Sequence, residues 1–329
     1  MFFGMSMNVG IDLGTANVLV YVKGKGIVLR EPSVVAVDKD NDKILAIGQE
    51  ARDMIGRTPG NIIAIRPLRD GVIADYEMTE SMIRHFLEKV IGRSFLFRPK
   101  VMICVPTGVN DVEKRAVQEA AEQAGSKKTD LIEEPIAAAL GAGIDISEPM
   151  GSMVVDIGGG TCDVAVISLG GIVVGESLRV AGDKFDSDIE LYIKREYNLM
   201  IGERTAENIK VQVGAAYEGA RKETISVRGR DILTGLPKNI TVGSDEISIA
   251  LRDSVESIVR CVKSVLERTP PELSADVMDR GIILTGGGAM LHGLADLIRK
   301  ETNIPAMLAD DPLSCVALGT GKALESMKS

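Results

Sequence analysis

The stretch Val9-Gly10-Ile11-Asp12-Leu13-Gly14-Thr15-Ala16-Asn17-Val18-Leu19-Val20 decides how this chain of 329 residues is organised. Apolar residues at both ends of the stretch predict two β-strands, and the Asp, Gly and Thr between them predict a tight polar turn. The pattern returns as Asp156-Ile157-Gly158-Gly159-Gly160-Thr161, which lies between the apolar runs 153–155 and 164–167. The chain therefore reads as a duplicated unit.

The elements that follow each turn support the duplication. In the first half, the apolar run 101–105 predicts a strand, and residues 111–124 predict a helix. In the second half, residues 281–284 predict a strand, which a glycine triplet joins to a predicted helix over 290–300.

Each half then repeats the strand and helix once more. The strand-like runs are 131–132 and 306–308, and we expect Pro135 and Pro312 to stand in the first turn of the following helices. Two α/β halves around one cleft is the simplest fold with these elements.

Two stretches, 33–66 and 182–244, have no counterpart in the repeat. The second predicts a helix over 205–216 and strands over 224–228 and 239–242. We expect both stretches to be insertions into the duplicated core.

Composition limits the classes of function. With 45% hydrophobic residues the chain can form ordinary cores, whereas 38 basic against 47 acidic residues give a net charge of −9 and a pI near 5.0. Such a balance excludes a basic footprint for nucleic acid, so we expect no nucleic-acid partner. It does not exclude a small ligand that carries phosphate.

Cysteine and histidine are sparse. The four cysteines form no close pair and the two histidines lie far apart, which predicts no disulfide framework, no zinc site and no histidine-dependent triad. Residues 1–7 lack the features of a signal peptide, and no apolar run reaches the ~20 residues of a spanning helix. We expect a cytoplasmic protein whose catalysis uses carboxylates, hydroxyls or a metal.

A turn of Asp, Gly and Thr between strands has the chemistry that phosphate binding needs, with a carboxylate for hydrated Mg²⁺ and glycines that let backbone amides approach. One such turn alone is more often an ordinary hairpin. Two copies at matching places predict two loops that hold phosphates from opposite sides of a cleft. Thr285-Gly286-Gly287-Gly288 adds a third loop, which could lie against a nucleoside.

Two rival phosphate motifs fail. The run Gly319-Thr320-Gly321-Lys322-Ala323 resembles part of a Walker loop, but Val316 stands at the first glycine position and Ala323 replaces the Mg²⁺-binding hydroxyl. We expect this run to lie in the last helix. The glycines 158–160 precede a second strand instead of a helix, which excludes the dinucleotide fingerprint.

These residues resemble the actin, Hsp70 and sugar-kinase superfamily of ATPases, with Asp12–Val18 as the first phosphate loop and Asp156–Val164 as the second. Within that superfamily the chain is most similar to the MreB family of bacterial actins across essentially its whole length. The stretches 65–75, 201–207 and 269–273 look like that family in particular.

The resemblance implies a duplicated actin-like α/β fold, in which two halves surround a nucleotide cleft and each half carries an inserted smaller subdomain. The implied boundaries are 1–32, 67–144 and 312–329 for the first core subdomain, 33–66 for its insertion, 145–181 and 245–311 for the second core subdomain, and 182–244 for its insertion.

The resemblance also implies a site for ATP and Mg²⁺. Asp12 and Asp156 would hold Mg²⁺ through water. The phosphates would contact the two loops at Gly14, Thr15, Ala16, Asn17, Gly158, Gly159, Gly160 and Thr161. The adenosine would lie between two sets of residues, Glu203, Glu207 and Lys210 on one side and Gly286, Gly287 and Gly288 on the other.

For catalysis, the resemblance implies that Glu134 orients the attacking water with help from Thr161, and Glu133 is the weaker candidate. The residues alone leave two alternatives open. Glu-Glu-Pro could simply begin a helix, where carboxylates favour the N-terminal dipole, and Glu203 and Glu207 could be solvent-exposed charges on one helix face.

The first phosphate loop of this chain differs in charge from that of eukaryotic actin. Eukaryotic actin has a lysine in its first phosphate loop where this chain has the apolar Val18 and Leu19. We expect neutralisation of the phosphates to depend more on Mg²⁺ and backbone amides, and turnover to be slow.

The few phenylalanines fall in two short stretches. Phe2 and Phe3 are near the start, and Phe95-Leu96-Phe97 lies between Arg93 and Arg98. An arginine-flanked apolar tip suits insertion into an anionic membrane surface, although packing of Phe95 and Phe97 in the core is the commoner fate of phenylalanine. The resemblance implies a membrane-binding loop at 95–97, with Phe2 and Phe3 as a neighbouring contact.

The leading hypothesis is a cytoskeletal ATPase that assembles with itself into filaments on the inner face of the membrane. With membrane proteins of the cell-wall elongation machinery, it would direct cell-wall synthesis and maintain rod shape.

A small-molecule kinase on the same fold is one alternative, but it needs a substrate pocket and a carboxylate base for which we find no candidate. A chaperone-type ATPase needs a peptide-binding domain, which we do not expect because the predicted fold extends to Ser329. A closed dimer that only hydrolyses ATP is the alternative to a filament.

Overall fold

The computed structural model describes residues 8–92 and 98–326. In the first half the elements are β1 (Asn8–Leu13), β2 (Asn17–Val22), β3 (Gly26–Pro32), β4 (Val35–Asp38), β5 (Lys43–Ile47), α1 (Gln49–Met54), β6 (Ile62–Ile65), β7 (Leu68–Arg69), β8 (Val72–Ile73), α2 (Tyr76–Ile91), β9 (Lys100–Val105), α3 (Asp111–Gln123), β10 (Lys128–Glu133) and α4 (Glu134–Gly141).

The second half begins at β11. Its elements are β11 (Ser152–Ile157), β12 (Cys162–Ser168), β13 (Gly171–Leu178), α5 (Gly182–Tyr197), β14 (Leu199–Met200), α6 (Glu203–Val213), β15 (Thr224–Asp231), β16 (Pro237–Gly243), α7 (Ser244–Arg268), α8 (Pro271–Arg280), β17 (Ile282–Thr285), a 3₁₀ turn (Gly288–Met290), α9 (Leu294–Thr302) and β18 (Ala306–Leu308). The final helix, α10 (Cys315–Ser326), packs back on the first half.

The central sheets of the two halves share one topology. Their strand orders are β10-β9-β1-β2-β3 and β13-β12-β11-β17-β18. In each sheet an antiparallel meander of three strands is continued by two parallel strands, which enter through helical crossovers. The predicted duplication is therefore confirmed strand by strand.

Helices cover these sheets with regularly spaced apolar residues. In α2 the side chains of Met82, Ile83 and Phe86 are buried, and Asp75 caps the helix by accepting a hydrogen bond from the Met78 amide at 3.1 Å. In the second half Phe185, Ile189 and Ile193 of α5 are fully buried at intervals of four residues. Each half thus has its own core, and a third apolar cluster, which includes Cys104, Ala138 and Val154, joins the two halves.

The two inserted stretches each contain a three-stranded antiparallel sheet. Their strand orders are β5-β4-β6 and β14-β15-β16. The helix predicted over 205–216 forms, but it begins at Glu203 and ends at Val213. The subdomain boundaries that the resemblance implies stay a prediction.

Two predicted helix starts are wrong. The segment predicted as a helix from residue 290 forms a 3₁₀ turn, and α9 begins only at Leu294, because Gly293 has a left-handed φ of 82° that an α-helix does not admit. Pro312 lies in a turn before α10, which begins at Cys315. The Pro312 carbonyl accepts a hydrogen bond from the Gly286 amide at 2.9 Å, so it is not used in a helix.

Glycines allow α10 to lie against α4 and β1. A Cβ on Gly319 would overlap the Ala137 carbonyl, one on Gly141 would overlap the Cys315 carbonyl, and one on Gly10 would lie 3.2 Å from the Gly321 nitrogen. The run 319–323 lies inside this helix, as predicted. Because α4 begins at Glu134, the contact with α10 also fixes the position of that carboxylate.

Within residues 8–92 and 98–326, every helix is too short or too polar to cross a lipid bilayer.

We expect Gly319→Ala to lower the free energy of unfolding by about 3 kcal/mol, because the added methyl group meets the backbone of α4 and the two helices must separate. Urea denaturation followed by circular dichroism measures the effect. Gly60→Ala is the control, since Gly60 lies exposed in a turn and a Cβ there has no neighbour within 4 Å, and we expect it to change stability by less than about 0.5 kcal/mol. Equal midpoints for Gly319→Ala and the parent would show that the helices do not depend on this close contact.

Candidate functional site

A cleft of about 500 Å³ separates the two halves and contains most of the predicted site. Its lining includes Asp12, Gly14, Thr15, Ala16, Asn17, Glu134, Asp156, Gly158, Gly159, Gly160, Thr161, Glu207, Lys210, Gly286, Gly287 and Gly288. Glu203 was also expected in the cleft, but it does not line it. The segments predicted to contact a membrane, Phe2, Phe3 and Phe95-Leu96-Phe97, lie outside the residues that the structure describes.

The first loop joins β1 to β2 and is fixed by hydrogen bonds to two neighbouring segments. Ser33 donates its hydroxyl to the Gly14 carbonyl at 2.5 Å, and the Gly71 amide donates to Thr15 Oγ1 at 3.2 Å. Asp12, near the end of β1, accepts the thiol hydrogen bond of Cys104 at 3.4 Å. Burial raises the pKa of Asp12 to about 6, although the Cys104 hydrogen bond and the charge of Arg30 act against the rise.

The second loop joins β11 to β12 and is closed by a hydrogen bond from the Gly158 amide to the Thr161 carbonyl at 2.9 Å. Asp156 is 4% exposed and accepts a hydrogen bond from Thr285 Oγ1 at 2.8 Å. Burial raises the pKa of Asp156 to about 7, and the negative charges of Asp163 and Asp12 add to the rise.

The two loops meet at the bottom of the cleft. A Cβ on Gly159 would lie 2.7 Å from the Ala16 Cβ, and one on Gly160 would lie 2.5 Å from Thr15 Oγ1 and 3.0 Å from the Asp70 backbone. Side chains at Gly159 and Gly160 would therefore force the loops apart. This contact brings Asp12 of one half close enough to Asp156 of the other that the charge of Asp12 raises the pKa of Asp156.

Glu134 is the first residue of α4 and faces the cleft directly after β10. Pro135 follows it in the first turn, where a missing amide costs nothing. Burial, followed by the charges of Asp163, Asp156 and Asp12, raises the pKa of Glu134 well above its ordinary value. Glu133 stands at the N-cap and is not among the lining residues. The structure thus brings together Glu134, both aspartates and Thr161.

The third loop and α6 form the other end of the cleft. Gly286 has φ +81°, and a Cβ there would overlap the Ile157 carbonyl and lie 2.9 Å from Asp156 Oδ1. Opposite it, Lys210 of α6 donates to the Gly182 carbonyl at 3.0 Å and to Asp186 Oδ2 at 2.8 Å. Between these walls the cleft has room for a planar group, bordered by Val211, Met290 and Leu291.

Comparison with known proteins agrees with this geometry. The family model described as "MreB/Mbl protein" matches residues 6–329. The chain is 58% identical over 320 residues to the cell shape-determining protein Mbl of Bacillus cereus, with 97% of this chain and 96% of that protein covered. It is 53% identical over 330 residues to the cell shape-determining protein MreB of Escherichia coli, with 98% and 95% covered.

The chain belongs to the MreB/Mbl family. A crystal structure of MreB5 of Spiroplasma citri bound to AMPPNP matches with a TM-score of 0.93 at 40% identity, and covers 98% of this chain and 96% of that chain. The predicted duplicated actin-like fold is confirmed by this match and by the paired sheets.

In this MreB/Mbl protein, ion pairs join the two inserted stretches across the mouth of the cleft. Arg66 pairs with Asp183 at 3.0 Å and also with Glu203, Arg52 pairs with Glu207, and Arg204 lies 3.5 Å from Asp53. We call these contacts the cross-cleft ion pairs. Because their side chains are partly exposed, each is worth at most about 1 kcal/mol, and salt weakens them.

The cross-cleft ion pairs change the interpretation of α6. Glu203 and Glu207 are not free solvent-exposed charges, because each is held by an arginine of the first half. Only Glu207 also lines the cleft. Their spacing of four residues matches two arginines that approach from the opposite side. The sequence alone does not indicate Arg52 and Arg66 as site residues, because no local pattern marks residues whose partners lie more than a hundred positions away.

The cleft of this MreB/Mbl protein carries more negative than positive side chains. Its acidic lining residues are Asp12, Glu134, Asp156, Asp183, Asp186 and Glu207, and its basic ones are Arg30, Arg66, Lys210 and Arg221. The described residues contain no cluster of three or more His, Cys, Asp or Glu side chains arranged to hold a metal ion directly. An anionic ligand would enter an acidic field unless a cation accompanied it.

We expect Asp156→Asn to remove a pH dependence of stability in the ligand-free protein. Because the pKa of Asp156 is raised from 3.8 to about 7, the folded chain keeps a proton that the unfolded chain has released, and this stabilisation is lost as the pH rises through 7. Relative to the parent, the free energy of unfolding of Asp156→Asn should increase by about 2–3 kcal/mol between pH 5 and pH 8. Urea titrations with chelator at each pH measure it.

Asp231→Asn is the matched control for this titration. Hydrogen bonds from the Thr234 amide and from Lys238 lower the pKa of Asp231 to about 2, so its contribution is constant between pH 5 and pH 8 and is lost only as the pH falls below about 4. A parent and an Asp156→Asn variant with parallel pH profiles would contradict the expectation.

Proposed function

We propose that the protein is an actin-like, shape-determining cytoskeletal ATPase. It binds and slowly hydrolyses ATP with Mg²⁺, and it assembles into filaments at the inner, cytoplasmic face of the membrane. The observation that carries the proposal is the pair of glycine loops that meet across the cleft, each preceded by an aspartate that lines it, with Glu134 beside them. The cell-shape names of the relatives and the AMPPNP bound to the Spiroplasma protein support it.

The geometry suggests one orientation for the nucleotide. The phosphates would lie between the loops at residues 14–17 and 158–161, where glycines admit close backbone approach. The adenosine would extend toward Gly286–288 and α6, with the base against the apolar Val211, Met290 and Leu291. Glu207 and Lys210 would border it, whereas Glu203 would act through its ion pair with Arg66.

The donor groups fit Mg²⁺. Asp12 and Asp156 offer oxygen ligands from opposite halves, the hard donors that this ion prefers, and two carboxylates suit an ion that keeps several waters. The acidic lining of the cleft supports the same assignment, because a nucleotide alone would be repelled. When bound, the ion would neutralise phosphate charge and polarise the terminal phosphoryl group.

Glu134 would place the attacking water. Its raised pKa favours the protonated form in the ligand-free cleft, and positive charge brought next to it would favour the ionised form, which can accept a hydrogen bond or a proton from water. Thr161, which is 7% exposed in the second loop, would hold the water from the other side. The fixed helix α4 limits the motion of Glu134, so its orientation requires no ordering during the reaction.

Filament formation and membrane binding would depend on each other. A head-to-tail contact repeats without closing and produces a filament, and many weakly anchored subunits in one filament bind a membrane far more tightly than one subunit does. The expected anchor is Phe95-Leu96-Phe97, with Phe2 and Phe3 as a second contact. Filaments on the anionic inner surface would then position membrane proteins of the elongation machinery, which accounts for a role in rod shape.

We expect Glu134→Gln to lower ATP turnover by about tenfold or more and to leave the Kd for Mg-ATP within about threefold, because a water-orienting group acts after binding. Phosphate release and equilibrium nucleotide titration measure the two quantities. Glu133→Gln is the control and should hydrolyse ATP like the parent. Asp12→Ala and Asp156→Ala should instead weaken Mg-ATP binding. Unchanged phosphate release in Glu134→Gln would remove this residue from the mechanism.

We expect the double substitution Phe95→Ser with Phe97→Ser to abolish sedimentation with anionic vesicles, since each inserted phenylalanine contributes roughly 1.5–3 kcal/mol. Leu169→Ser with Val173→Ser removes two apolar side chains that are exposed elsewhere and should bind vesicles like the parent. Electron microscopy with ATP on lipid should show filaments for the parent. Full vesicle binding by the Phe95 and Phe97 variant, with its fold intact, would place the anchor elsewhere.

A further inference from the structure

Arg30 lies in the same row of the first sheet as Asp12. In the antiparallel register Asp12 stands opposite Leu19 of β2, and Leu19 stands opposite Arg30 of β3. Directly paired residues of neighbouring strands point to the same face of a sheet. All three residues line the cleft. With strands about 4.8 Å apart, the Arg30 backbone is two strands, or roughly 10 Å, from that of Asp12.

The row places a cation beside the apolar Leu19 of the first loop's second strand. Leu19 itself is 4% exposed and has no charge to offer. Its neighbour Arg30 is exposed and close enough that its charge lowers the pKa of Asp12. The side of the cleft that the first loop forms therefore carries a positive side chain, Arg30.

Arg30 is also available, whereas other cations of the cleft are already paired. Arg66 is held by Asp183 and Glu203, and Lys210 is held by Asp186. Arg30 forms no carboxylate ion pair within 4 Å in the described parts of the chain, and it donates to the neutral Ser314 hydroxyl at 2.7 Å. Arg221 lies after α6, toward the other end of the cleft.

We propose that Arg30 binds a phosphate group of the nucleotide, and thus supplies from β3 the positive charge that the apolar Leu19 does not supply from β2. The inference rests on the proposed function, since it requires ATP or ADP in the cleft. A guanidinium has five N–H donors, so the bond to Ser314 leaves donors for phosphate oxygens. It also revises our expectation that neutralisation of the phosphates depends more on Mg²⁺ and backbone amides.

Four variants test the proposal, with Kd for Mg-ATP and Mg-ADP measured by titration of the purified full chain. Arg30→Gln should weaken both ligands about 5- to 30-fold, because it removes a charge-assisted hydrogen bond in a partly exposed site. Arg30→Lys keeps the charge but loses the planar guanidinium fork, so it should restore only part of the affinity that Arg30→Gln loses. Arg228→Gln, an exposed arginine of β15 outside the cleft, makes the same change in net charge and should bind like the parent.

Ser314→Ala separates phosphate binding from a purely structural role. If Arg30 served only to fix the turn before α10, Ser314→Ala would weaken nucleotide binding as much as Arg30→Gln does, and that result would overturn the proposal. Equal affinities for Arg30→Gln and the parent would overturn it as well. Arg30→Met, which keeps the apolar stem, repeats the measurement if Arg30→Gln is poorly folded by thermal denaturation.

The same experiment distinguishes this inference from the proposed function. A parent that fails to bind Mg-ATP would refute the nucleotide site as a whole. A parent that binds and hydrolyses ATP, with an Arg30→Gln variant of equal affinity, would refute only the role of Arg30.

Discussion

Two loops from opposite halves of the chain touch at the bottom of the cleft, and the contact exists only because Gly159 and Gly160 have no side chains. Since both loops are ends of central strands, their contact sets the separation of the two sheets. It also sets the width of the cleft and the distance between Asp12 and Asp156. A methyl group at either glycine would therefore act on the whole site and not on one loop, because the halves would have to separate as rigid bodies.

The contact between the two loops concentrates negative charge at the bottom of the cleft. Asp12, Asp156 and Glu134 converge where the halves meet, and burial raises the pKa of all three, while neighbouring carboxylates raise the pKa values of Glu134 and Asp156 further. Two of the four cleft cations do not neutralise this cluster, because Arg66 is held by Asp183 and Glu203 at the mouth and Lys210 by Asp186 along α6. The resulting site favours a ligand that brings both anionic groups and its own cation. The electrostatics thus favour the metal complex of a nucleotide over the free nucleotide.

Local patterns were sufficient to predict the two loops, the duplicated strands and the start of α4, since glycine, proline and alternating apolar residues act over a few positions. The prediction that Pro312 stands in the first turn of the last helix was wrong, because the hydrogen bond that holds Pro312 in a turn comes from Gly286, which is distant in sequence. Arg30 was not predicted as a site residue, for a related reason. Only the strand register places it beside Leu19, and register depends on pairing that no short motif records.

The last helix, α10, has a consequence for synthesis of the chain. It packs on β1 and α4, and Tyr21 donates its hydroxyl to Glu325 at 3.0 Å, so one wall of the first half comes from residues made after the whole second half. At about 5–20 residues per second, the ribosome needs roughly ten to forty seconds to travel from α4 to α10. During that interval the glycine-lined surface of α4 and the back of β1 lack their cover. A nascent chain of this protein therefore leaves this face uncovered until α10 has been made.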